Sequence, residues 1–66
     1  MTLTVNGEPK VMAAVTTVGN LLDHFGVSHQ TVAVMVDGVI IAREHVANTL
    51  LHEGASIEII RFVGGG

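Results

Sequence analysis

Two dipeptides, Asn6-Gly7 and Asp37-Gly38, each stand between short runs of strand-forming residues. A two-residue type I′ hairpin demands positive φ at both central positions, and these residue pairs tolerate it. A chain of 66 residues that holds two such turns is committed to antiparallel hairpins. Thr2-Leu3-Thr4-Val5 alternates polar and apolar, which predicts a half-buried strand with Leu3 and Val5 inward. Glu8 to Met12 is the returning strand, and Pro9, which cannot donate to a ladder, belongs at its start or on an unpaired side. Ala13-Ala14-Val15 has no decisive pattern. Around the second turn, Val32 to Val36 puts Val32, Val34 and Val36 on one face, with Ala33 and Met35 on the other. Val39-Ile40-Ile41 returns. Thr49-Leu50-Leu51 leads to a third turn at Glu53-Gly54, and a last strand is expected from Ile57 to Val63.

Between the hairpins the period changes. Thr17 is an N-cap residue, and Val18, Leu21, Leu22 and Phe25 fall at i, i+3, i+4 and i+7, one helical face. Gly26 stands where a left-handed residue ends a helix, and His24 in the last turn suits the helix dipole. The spacing predicts a helix over Val18 to Phe25. Ser28 to Thr31 reads as a polar link, and Arg43 to Asn48 as a polar stretch with room for a short helical turn. The order is therefore β-β-α-β-β-β. This is an α+β class, closed most simply by laying the last strand parallel beside the first with the helix in the crossover. Such a topology resembles the β-grasp, or ubiquitin-like, fold: a mixed sheet of four to five strands with one helix packed across it. The sequence shows no internal repeat and no linker.

Composition narrows the function. The hydrophobic fraction is 48% but the aromatic share only 3%, Phe25 and Phe62, so Val, Ile, Leu and Met must build the core. A chain this short buries only about 60% of its unfolded surface. With no cysteine there is neither a disulfide frame nor a thiolate metal site, which fits a reducing, cytoplasmic compartment. No apolar run nears the roughly 20 residues of a membrane span, and no basic segment followed by an apolar one opens the chain, so no membrane association is expected. The net charge is −3, with Lys10, Arg43 and Arg61 the fixed cations. Nucleic-acid binding needs a basic surface to displace counterions, so it is not expected; a basic protein partner is the better match.

The last strand runs into Gly64-Gly65-Gly66. Residues 1–63 are expected to form the domain and residues 64–66 a flexible tail. Glycines can pass a channel that rejects any Cβ, and without packing groups they have no reason to fold back. The reactive group at the end is a carboxylate. Such a tail reads as an arm that delivers a carboxyl carbon into another protein's active site; the bland alternative is a frayed terminus or a cloning remnant.

Several stretches resemble one family over the whole chain. They are Val5-Asn6-Gly7-Glu8, Thr16-Thr17-Val18 with Leu21-Leu22, Val32-Ala33-Val34 through Asp37-Gly38, Arg43, Glu53-Gly54, Ile57-Glu58-Ile59-Ile60 and Val63-Gly64-Gly65-Gly66. Their order and spacing resemble the sulfur carrier proteins of thiamine biosynthesis, the ThiS family. The small sulfur-carrying subunit of molybdopterin synthase, with the same fold and Gly-Gly end, is a less close resemblance. Val15, Ala42, Val46 and Phe62 depart from the commoner family residues, and none lies in the glycine end.

The resemblance implies a carrier rather than an enzyme. An ATP-using, E1-like adenylyltransferase of the ThiF type would adenylate the Gly66 carboxylate. A sulfur-donating enzyme would supply the sulfur of a thiocarboxylate. A thiazole synthase of the ThiG type would use that sulfur for the thiazole ring of thiamine. Gly64 and Gly65 would thread into the partner, and Ile60, Phe62 and Val63 are the expected docking residues. The residues agree with this division of labour. There is no cysteine nucleophile, no phosphate-binding Gly-rich loop followed by Lys and Ser or Thr, and no evident acid–base pair. No bound cofactor is expected, ATP belonging to the activating partner.

If Ile57 and Ile59 face inward, Ile60 and Phe62 form an apolar patch outside, and exposed apolar patches mark interaction sites. The alternative for Phe62 is a cover over a small core. His24, His29, His45 and His52 share no metal-ligand spacing and read as surface residues, so no metal site is expected. Asp23, Glu44, Glu53 and Glu58 read as solvated, Met12 and Met35 as packing, and Arg43 as either a carboxylate's partner or a docking contact. Other functions stay open on the residues alone: sulfur carriage for molybdopterin, a ubiquitin-like protein modifier, or a passive interaction domain.

Overall fold

The structure, a computed structural model, describes residues 1–62. Strands β1 (Thr2–Val5) and β2 (Glu8–Val11) form the first hairpin. Asn6 and Gly7 take φ of 50° and 83°, the positive pair that the sequence pointed to. Helix α1 (Val18–Phe25) follows, then a 3₁₀ turn at His29–Thr31 and strand β3 (Val32–Val36). Asp37 and Gly38, at φ 51° and 83°, turn the chain into the short strand β4 (Val39–Ile40). A second 3₁₀ segment, Arg43–Asn48, leads to the last strand, β5 (Ser56–Arg61).

The sheet order is β2-β1-β5-β3-β4. β5 lies at its centre, parallel to β1 and antiparallel to β3. This is the expected closure, with all five strands in one sheet. β2 is an edge strand, which accommodates Pro9 opposite Thr4. The ladder between β1 and β5 continues through the turn regions, where Thr4 N–H donates to Ala55 O and Asn6 N–H to Ile57 O, both at 2.9 Å.

Helix α1 starts where the sequence says, with one added device. The Thr17 hydroxyl accepts from Asn20 N–H at 3.1 Å, and the Asn20 carboxamide oxygen accepts from Thr16 and Thr17 N–H, both at 3.2 Å. This is a capping box with Asn in the place usually filled by Glu or Gln. At the other end Gly26 adopts φ 68° and its N–H returns to the last helical carbonyls. Val18, Leu21 and Leu22 are fully buried against Leu3, Val34 and Ile57 of the sheet. Each such side chain contributes about 1.5–3 kcal/mol on burial.

Four expectations are corrected. Phe25, assigned to the buried face, is 38% exposed, because the eight-residue helix carries its last turn past the edge of the core. β2 ends at Val11 and β4 at Ile40; Met12 and Ile41 leave their strands to cover the core. β5 begins one residue earlier than expected, at Ser56, and ends at Arg61. The Arg43 guanidinium donates to Gln30 O at 3.4 Å. The unassigned Ala13-Ala14-Val15 stretch is a bend with Ala14 at φ 53°, and it delivers Val15 to the core.

Candidate functional site

Alternation along β5 decides which residues are available for docking. Its register with β3 pairs Val34 with Ile59 and Ala33 with Ile60. Val34 is buried beneath the helix, so Ile59 shares its face and Ile60 takes the opposite one. Ile57 is completely buried and Ile59 partly so, the condition under which Ile60 and Phe62 are left outside. Ile60 is 48% exposed and Phe62 52%. Phe62 follows the end of β5, its N–H donating to Thr31 O at 3.0 Å, and its half-exposed side chain is not among those packed against the core.

The neighbours of Ile60 extend the patch. Ala33 stands directly across from it, and Met35, two residues on, pairs with Ile40 of β4, which is 70% exposed. Ile60, Ala33, Met35 and Ile40 therefore form one apolar surface on the side of the sheet away from α1. Glu58 is the charged member of β5 on that face, opposite Met35. Sequence reasoning chose Ile60 and Phe62 but missed Met35 and Ile40. The alternation of Val32 to Val36 already put Met35 outside, so the signal was there. Val63, Gly64, Gly65 and Gly66, also expected at the site, lie outside the described residues.

The opposite end of β5, packed through the buried Ala55 and Ile57, is also fixed by polar contacts. Asp37, in the β3–β4 turn, accepts from Ser56 N–H at 2.9 Å and lies 2.6 Å from His52 Nε2. His52 Nδ1 is 2.9 Å from Glu53 O. Both imidazole nitrogens thus face oxygen acceptors, an arrangement that only the doubly protonated ring satisfies on both sides. The Asp37 hydrogen bond, with the Glu53 carbonyl second, holds the His52 pKa above its ordinary value. The Ser56 N–H, with His52 second, holds the Asp37 carboxyl below its own. Glu53, expected to be merely solvated, accepts from Thr2 N–H through both oxygens at 3.0 and 3.1 Å. His29 meets Asp23 at 3.1 Å. Among the described residues no three histidine or acidic side chains converge on a metal position. None of the described helices is long and apolar enough to cross a membrane.

The geometry is thus a small sheet whose central strand carries an exposed apolar face and points toward the glycine end. The family model for ThiS matches residues 3–66. The chain belongs to the ThiS family. The crystal structure of the thiamine biosynthesis protein (ThiS) from Geobacter metallireducens superposes with a TM-score of 0.83 at 33% identity, covering all of both chains. A solution NMR structure of a thiamine biosynthesis protein from the same organism gives a TM-score of 0.81 at 33% identity, covering all of this chain and 88% of that one. Two relatives are thiazole synthases. Those of Paramagnetospirillum magneticum and Magnetococcus marinus are 36% and 35% identical over 66 residues, all of this chain. The chain spans 20% of the length of each. The ThiS family consists of small sulfur carrier proteins, not catalysts, and its β-grasp fold is the one found here.

Proposed function

We propose that this ThiS-family chain carries sulfur on its C-terminal carboxylate for assembly of the thiazole ring of thiamine. The observation that carries the reading is the family match, which runs the length of the chain and includes Gly66. The relatives add support, because a segment similar to the whole chain occurs within proteins named thiazole synthase.

A free carboxylate is a poor acyl donor, since its leaving group would be oxide. An E1-like adenylyltransferase removes that obstacle. The Gly66 carboxylate attacks the α-phosphorus of ATP, pyrophosphate leaves, and an acyl adenylate results. Sulfide (HS⁻) made available by a sulfur-donating enzyme then attacks the acyl carbon, AMP leaves, the sulfur's proton passes to solvent, and a thiocarboxylate remains. That sulfur is the nucleophile offered to thiazole synthase. The domain's part is to dock and to present. Ile60 and Phe62, with Val63, give the partner an apolar surface beside the strand end, and Gly64 and Gly65 bring the carboxyl group through a passage too narrow for side chains.

Intact mass spectrometry of the protein from its native host tests the reading. Replacement of one oxygen by sulfur, placed on Gly66 by fragmentation, is the expected result, and the same spectrum reports whether the mature chain ends there. Failure to form an adenylate at Gly66 when ATP and the host's adenylyltransferase are supplied would overturn it. Isopeptide adducts on other proteins would point instead to a protein modifier.

A further inference from the structure

The face of the sheet that packs on α1 is not fully covered. Beyond the C-terminal end of the helix a groove of about 480 Å³ opens between the first hairpin and β5. Val5, Phe25, Val27 and Ile59 supply its apolar lining, Asn6 a carboxamide, and Lys10, Glu8 and Arg61 a charged rim with two cations to one carboxylate. Lys10 reaches it because the register sets Lys10 across from the buried Leu3, on the helix side. Arg61 reaches it through alternation, on the side of Ile57 and Ile59.

Three features mark this groove as a contact surface. Phe25, one of two phenylalanines in the chain, lines it and is left 38% exposed there. Two of the three fixed cations of a chain with net charge −3 line it. Glu8, 3.6 Å from Lys10, is largely solvated, so that pair is screened and leaves the cationic character in place. Finally, Arg61 directly precedes Phe62, so the groove and the outer apolar patch lie on the two faces of one strand end.

We propose that the groove is a second docking surface, which takes a segment of thiazole synthase carrying a large apolar side chain flanked by a carboxylate. The apolar group covers Phe25, Val27 and Ile59, and the carboxylate meets Lys10 and Arg61. The partner thereby grips the end of β5 from both faces, which fixes the direction in which the following residues leave the domain. The inference rests on the reading above that thiazole synthase receives the tail.

The test uses the full chain and full-length thiazole synthase of the same host, with binding followed by biolayer interferometry at low and high salt. Lys10→Glu and Arg61→Glu are each expected to raise Kd about tenfold and to weaken its salt dependence. Binding by both variants within twofold of the original chain, while Ile60→Asp loses affinity, would overturn the groove and leave the carrier reading standing. No binding by the original chain would overturn both. Methyl NMR of the unsubstituted protein keeps the question open to refutation should a variant unfold. Added thiazole synthase should shift the Val27 and Ile59 methyl signals, and shifts confined to Ile60 and Ile40 would remove the groove from the interface.

Discussion

The side chain of Asn6 accepts the backbone N–H of Ile59 at 2.8 Å, across a sequence separation of 53 residues. Asn6 thus does two things. It adopts the positive φ that the first hairpin needs, and it adds one rung to the ladder between β1 and β5 just where β1 has ended. The strand that leads to the glycines is held by the first turn of the chain.

Separating these roles gives a first prediction. Asn6→Gly keeps access to positive φ but deletes the acceptor, and should cost about 1 kcal/mol in urea unfolding. Asn6→Ala loses both, and the left-handed backbone adds about 1–2 kcal/mol. Amide exchange at Ile59 should accelerate in both variants. Equal stability of Asn6→Gly and the original chain, with unchanged Ile59 exchange, would show that the bond contributes nothing.

Gly19 sets the distance between α1 and the second 3₁₀ segment. A Cβ there would lie 2.8 Å from Ala47 O and 3.0 Å from its Cα, both backbone atoms that cannot rotate away. Gly19→Ala gains about 1 kcal/mol of helix propensity but must push the two segments apart, which costs about 1–3 kcal/mol. A net loss in stability is expected, read from the urea midpoint. A net gain would mean that the Arg43–Asn48 segment yields freely.

Much of the fold was legible because its signals are local. Asn6-Gly7 and Asp37-Gly38 specify turns that few other residue pairs can make, and both formed as expected. Thr17, Leu21 and Gly26 specify a helix by cap, stripe and stop, and the helix has the predicted bounds. Alternation from Ile57 onward correctly made the outer exposure of Ile60 depend on inward burial of Ile57 and Ile59. Contacts between distant residues were not legible. Asn6 was read as a turn residue alone, because nothing local announces a partner at Ile59. His52 was read as an unremarked surface residue, since its value depends on a turn 15 positions away. Phe25 was misplaced because a helical stripe says which face points inward but not how far the sheet extends beneath it.

The His52–Asp37 contact predicts a pH dependence. A raised folded-state pKa for His52 means that its stabilisation is fully present below its ordinary value of 6.5 and fades as pH rises through the higher folded value. A lowered Asp37 pKa means the opposite: its contribution is present above 3.8 and fades as pH falls through the lower folded value. The clamp is therefore strongest between those two ordinary values, in mildly acidic solution. The melting temperature should fall from pH 6 to pH 8 less in His52→Ala and Asp37→Asn than in the original chain. Both groups are solvent-accessible, so added salt should shrink the difference. Parallel pH profiles for all three proteins would remove the clamp from the account.

The outer face should separate binding from stability. Ile60 is half exposed and opposite Ala33, so Ile60→Asp removes few buried contacts and should change stability by no more than about 0.5 kcal/mol. A charge in the centre of a docking patch is far more costly, and a loss of affinity for thiazole synthase of tenfold or more is expected. A variant that binds normally would exclude this face as the docking surface.

Among the described residues, every member of the buried core lies between Leu3 and Ile57. A function carried by the C-terminal glycines is therefore expected to be separable from this core. Deleting Gly65 and Gly66 should leave the melting temperature unchanged to within a degree or so, on the order of a few tenths of a kcal/mol, while abolishing thiocarboxylate formation. Gly65→Leu sharpens the test, because it keeps chain length and a terminal carboxylate but introduces a Cβ and an isobutyl group into the proposed passage. Adenylation of this variant by the host's adenylyltransferase, followed by release of pyrophosphate, should be slowed by at least about a hundredfold, the scale on which a small misplacement of reacting atoms acts. Normal adenylation would mean that the passage is wide, and that the glycines serve some purpose other than slenderness.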